Sequence, residues 1–65
     1  MKNIIIKAID TVRIHGNGFE HNPYPFGSVN HRAFMIAASL KMKHRDLSDD
    51  RITKEVVSII KGDKK

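Results

Sequence analysis

The run Asn22-Pro23-Tyr24-Pro25-Phe26-Gly27-Ser28 does most to limit the folds open to this chain. Each proline fixes its own φ and lacks a backbone donor, and it biases the residue before it, Asn22 or Tyr24, toward extended geometry. No regular helix passes through such a run. A solvated linker would have no use for Tyr24 and Phe26. The segment therefore reads as a rigid, aromatic-bearing turn that sets one helix against another. A structureless loop as long as residues 15–27 is unusual in a compact domain. We expect an ordered, extended connector with Tyr24 or Phe26 packed inward.

Beyond the connector the pattern is helical. Ser28 suits an N-cap. Val29, Ala33, Ile36, Ala37 and Leu40 recur at the spacing of one helix face, with Phe34, Ala38 and Met42 as a second apolar row beside it. Lys41, Lys43, His44 and Arg45 close this helix, where cations complement the negative end of the helix dipole. The third element, residues 48–61, has the plainest signals. Ser48 is its cap, Asp49 and Asp50 fill the first turn, and Leu47 with Ile52 has the spacing of a hydrophobic staple. Ile52, Val56, Ile59 and Ile60 form its expected buried stripe. Gly62 sits where a C′ glycine belongs, and Asp63-Lys64-Lys65 is expected to fray.

Residues 3–14, before the connector, fit two patterns. Ile4, Ile5, Ala8, Ile9 and Val12 recur at helical spacing, whereas Ile4, Ile6, Ala8, Val12 and Ile14 share one face of a strand. The wealth of β-branched residues favours a strand. We read a helix and keep the strand as the alternative. His15-Gly16-Asn17-Gly18 ends the element with residues that tolerate positive φ. The expected architecture is one small, mostly α-helical domain over residues 1–65: helix, ordered Pro-aromatic connector, helix, helix.

Sixty-five residues bury little surface, so such domains often lean on disulfides, a metal or a partner chain. The sequence has no cysteine, which removes disulfides and thiolate sites and fits a reducing cytoplasm. Lys7 and Asp10 interrupt the Ile4-Ile5-Ile6 run before it reaches the length of a signal-peptide core. No run is long enough to span a membrane. Twelve Lys and Arg against seven Asp and Glu give a net charge of +5, which favours anionic partners.

The residues Asn22-Pro23-Tyr24, Gly27-Ser28 and His31, followed by Phe34 and Ala37, resemble the ribosome-modulation-factor-like family of small basic proteins. That family carries a Cys/Asn-Pro-Tyr/Phe turn between two helices, often with Gly-Ser and a His soon after. An aromatic, usually Trp, follows on the second helix, with a small residue one turn on. Phe34 would replace the Trp, and Ala37 or Ala38 the small residue. Gly16 and Gly18 could stand for the glycines near the end of the first helix. The match covers about residues 9–38. It departs in the Ile-rich first element and in the added third one. The resemblance implies a helix–turn–helix hairpin and, for the family's namesake, binding to ribosomal RNA that pairs ribosomes into inactive dimers. A related branch has an antibiotic-modifying activity, for which no residue set is visible here.

Candidate site residues emerge from charge and from aromatic chemistry. Lys41, Lys43, His44 and Arg45, with Arg32 earlier on the same helix, could contact phosphates. Tyr24, and with it Phe26, could stack on unpaired bases, although sealing a small core is the better use of either ring. Phe34 is expected in the core. His15, His21, His31 and His44 show no i, i+4 pair and no cysteine to assist, so no metal site is expected. His31 is expected to bond to the connector backbone. Ser28 and Ser48 are explained as caps. Ser39 and Ser58 have no visible base, and the neighbours Glu20 with His21 and Asp10 with His15 define no pocket, so neither enzyme activity nor a cofactor is expected.

The favoured reading is a basic, cytoplasmic protein that binds structured RNA, with the ribosome as the expected target and translation as the process affected. Self-association through the first element or the second helix's extra apolar row is expected with it. Two alternatives remain. A strand at residues 3–14 would give the strand–helix–helix order of ribbon–helix–helix repressors, with Asn3, Lys7, Thr11 and Arg13 as DNA readers. An adaptor or inhibitor from a mobile element would instead dock exposed Ile and Met faces on a host protein.

Overall fold

In the computed structural model, which describes residues 2–62, three α-helices enclose one apolar core. Helix α1 spans Lys2–His15, α2 spans Val29–Lys43 and α3 spans Asp49–Gly62. A short 3-10 turn, Phe19–His21, interrupts the connector. No strand occurs among the described residues, so the first element is a helix and the repressor-like order is ruled out. The helical spacing prevails because Ile5, Ala8, Ile9 and Val12 are buried together, while Ile14, which the strand pattern would bury, is exposed. The expected fraying at Asp63-Lys64-Lys65 lies outside the described residues.

The core unites Ile5, Ala8, Ile9 and Val12 of α1, Ala33, Phe34, Ala37 and Ala38 of α2, and Ile52, Val56 and Ile60 of α3. Three alanines on α2 let its backbone approach the neighbouring helices, and Phe34 is the largest side chain that is fully buried. Each apolar row of α2 contributes two of these residues, Ala33 and Ala37 from one and Phe34 and Ala38 from the other, whereas Val29 at the head of the first is 52% exposed. On α3, Ile59 is 40% exposed and leaves the stripe to Ile52, Val56 and Ile60. Leu47, just before the cap of α3, packs against the core cluster to which Ile52 belongs.

The helix ends obey their residues, with one exception. Ser28 Oγ accepts from His31 N at 3.0 Å, and Ser48 Oγ accepts from Arg51 N at 3.2 Å. Gly16 takes a φ of +76° and its N–H reaches Val12 O at 2.7 Å, closing α1 with a left-handed glycine. Gly62 does not behave so. It is the last helical residue of α3 and has no positive φ.

Contacts along the chain fix the direction of each helix. Lys7 Nζ lies 6.0 Å from the Tyr24 ring, and that ring meets Phe34 at 6.1 Å. Further along, Gly18 sits between Val12 and Ala38. At the end of α1, Arg13 pairs with Asp49 of α3 at 3.7 Å and lines a cavity with Lys41 and Arg45. Positions on α1 and α2 thus advance together: the two helices run in the same sense, and α3 returns against them. This differs from the hairpin that the family resemblance implies. A helix of 14 residues is about 21 Å long, and the connector must retrace that length before α2 can start. That is why it is long and partly extended.

Side chains hold the connector in place. Asn17 Oδ1 accepts from Phe19 N at 2.8 Å and Asn22 Oδ1 from Tyr24 N at 3.0 Å, two local turns of the kind Asn favours. Asn22 Nδ2 also donates to His31 O at 3.1 Å, tying the connector to α2. His15 and His21 stack at 4.1 Å across the bend. Tyr24 is the ring that packs inward. Phe26 does the opposite and is 93% exposed.

Candidate nucleic-acid interface

The parallel course of α1 and α2 brings their C-terminal ends together with the start of α3. Val12, Arg13, Gly16, Lys41 and Arg45 line an open cavity of about 320 Å³ there. The last carbonyls of two helices point toward this end, and cations complement them. Lys41 Nζ donates to Arg45 O at 2.9 Å, which closes the turn after α2 and keeps its ammonium near the cavity. Arg13 is held by two carboxylates, Asp10 at 3.4 Å and Asp49 at 3.7 Å. Its charge is therefore locally balanced, and the positive excess of the cavity comes from Lys41 and Arg45. All these groups are at least partly exposed, so salt screens them and each ion pair contributes only about 0.2–1 kcal/mol.

The remaining sequence-derived candidates lie elsewhere. Helical geometry sets residues eleven apart about 20° around the axis and about 16 Å along it. Arg32 and Lys43 therefore share the outer face of α2, both exposed. His44 supports the end of α2 through its N–H to Leu40 O at 2.8 Å, and it lines an open cavity with Leu47, Arg51 and Glu55. The five residues of the expected patch thus divide: Lys41 and Arg45 line the cavity, Arg32 and Lys43 lie on the outer face of α2, and His44 lines a second cavity with residues of α3.

Tyr24 is half-buried, with its ring between Phe34 and Lys7. Phe26 is the ring presented to solvent. His31 meets the connector through its own backbone, accepting from Asn22 and donating to Ser28 Oγ. Its imidazole is tilted 69° against Phe26 at 5.2 Å. The expected side-chain bond from His31 to the connector backbone is not the one formed. Among the described residues, no three His, Asp or Glu side chains converge as a metal-binding set.

Arg13 and Phe26 are the residues that the sequence placed least well. Arg13 reaches Lys41 and Arg45 only because α1 and α2 are parallel, a relation no local signal carries. Phe26 has a local signal: it precedes a glycine and a helix cap at the tip of a turn, a position that projects outward. Comparisons with protein-family models, curated proteins and solved structures return no match for this chain.

Proposed function

We propose that this protein is a small basic module that binds structured RNA, and that the cavity cations Lys41 and Arg45, with Arg13 beside them and Lys43 on the outer face, contact its phosphates. The observation that carries this reading is the convergence of Lys41 and Arg45 at one open cavity on a chain of net charge +5. Lys and Arg at phosphates give affinity that depends on salt and not on sequence. An RNA helix offers such phosphates at fixed spacing, and a folded RNA is read largely by shape. The resemblance of about residues 9–38 to the ribosome-modulation-factor-like family directs attention to ribosomal RNA. Binding would cover a functional surface and so affect translation.

The test is co-sedimentation of tagged protein with ribosomes on a gradient at low and at high salt. Association at low salt that is lost at high salt supports the reading. Protein that stays at the top of the gradient in both removes the ribosome as target.

A further inference from the structure

Two acids hold Arg13, and they hold it unequally. Asp10 lies on the same helix, and its Oδ1 accepts a hydrogen bond from Arg13 Nη1 at 3.4 Å. It travels with Arg13 wherever α1 goes. Asp49 belongs to α3. Its Oδ1 lies 3.7 Å from Arg13 Nη2, too far for a hydrogen bond. The two side chains are 59% and 48% exposed, and an ion pair so open to water contributes little. The Asp49 contact is therefore the weaker of the two. It engages one nitrogen of a guanidinium that carries five donors.

The cavity beside this pair suits an anion. Arg13, Lys41 and Arg45 line it, whereas neither Asp10 nor Asp49 does. The carbonyls of two helix ends would repel an anion, but part of that negative end is already met. Gly16 N–H donates to Val12 O and His44 N–H to Leu40 O. Lys41 Nζ donates to Arg45 O and has two further protons to offer. What limits the cavity is the charge of Arg13, which the two acids balance.

We propose that Asp49 keeps the place of a phosphate: when RNA reaches the cavity, a phosphate displaces the Asp49 carboxylate from Arg13, and Arg13 joins Lys41 and Arg45 in holding it. The proposal rests on the RNA reading above and adds what governs that same site, a carboxylate of the chain that competes with the ligand. Arginine meets a phosphate through two parallel N–H donors, a gain over a single oxygen at 3.7 Å. Asp49 loses little in the exchange. It lies in the first turn of α3, where the positive end of the helix still favours its charge.

The test compares Asp49→Asn with Asp50→Asn. Both remove one negative charge from the first turn of α3, but only Asp49 pairs with Arg13. Circular dichroism verifies that each variant is folded, and affinity for an RNA hairpin is measured at low salt. Asp49→Asn should bind about two- to fivefold more tightly than Asp50→Asn, the worth of an exposed ion pair. In an Arg13→Gln background that advantage should vanish. Equal affinities of the two variants, or an advantage that persists without Arg13, overturn the exchange. Inorganic pyrophosphate probes the site without RNA, through the Arg13 Nε–H signal in NMR, and should follow the same order. If the hairpin binds and charge reversal at Lys41 and Arg45 weakens it, while Asp49→Asn matches Asp50→Asn, the exchange fails and the RNA reading stands. If pyrophosphate binds in the expected order and the wild-type chain does not bind the hairpin, the RNA reading fails and the exchange stands for phosphate alone. If the wild-type chain binds neither, both fail.

Discussion

Gly18 lies against Ala38 so closely that a Cβ on the glycine would stand 2.6 Å from the Cβ of the alanine, and 3.1 Å from a methyl group of Val12. This is the point where the connector turns back between α1 and α2, and only a residue without a side chain passes. Gly18→Ala should destabilise the fold by about 1–3 kcal/mol, the usual cost of overpacking. In a domain of this size that lowers the melting temperature by roughly 4–8 °C per kcal/mol. Ala38→Gly in the same chain should recover part of the loss, because the two positions share one space. Thermal denaturation of the two single variants and the double variant measures this. Purely additive losses would show that the close approach is not the cause.

Much of this fold was legible in the sequence, but unevenly. The third helix could be read almost residue by residue, because Ser48, Leu47 and Ile52 act within one turn of each other. Its stripe included Ile59, which the structure exposes, since only the packing partners decide how wide a buried face is. The ambiguity of residues 3–14 was real: β-branched residues fit a strand, and burial of Ile5, Ala8, Ile9 and Val12 on one side settles the matter only once α2 and α3 supply the other side. The prolines announced an ordered connector, but nothing local states that it runs back along α1. For the same reason the meeting of Arg13 with Lys41 and Arg45 was not visible, while the cation run that closes α2 was.

The two cap serines should differ. Ser48 Oγ accepts one bond, from Arg51 N. Ser28 Oγ accepts from His31 N and donates to Pro25 O, so it joins the turn to the helix. Loss of a cap costs about 1 kcal/mol. Ser48→Ala should cost about that much and Ser28→Ala more, as read by urea denaturation. Equal effects would mean that the bond to Pro25 contributes nothing measurable.

Phe34 and Phe26 should respond in opposite ways. Phe34 is fully buried, and Phe→Ala in a core costs about 3–5 kcal/mol. A chain of this length has a total stability of roughly 3–10 kcal/mol. Phe34→Ala should therefore remove a large part of that stability, seen as a lower midpoint of thermal unfolding followed at 222 nm. Phe26→Ala should stay within about 0.5 kcal/mol of the wild type, as surface substitutions do. A large destabilisation by Phe26→Ala would show that its ring contributes to folding, which a ring so exposed should not do.

The most direct test of the central claim is the affinity of the wild-type protein and of a Lys41→Glu, Lys43→Glu, Arg45→Glu variant for a structured ribosomal RNA fragment, measured over a series of salt concentrations. The account predicts that wild-type affinity falls linearly in log–log form as salt rises, and that the folded variant binds more weakly with a flatter slope. A folded variant with the affinity and salt slope of the wild type would contradict it.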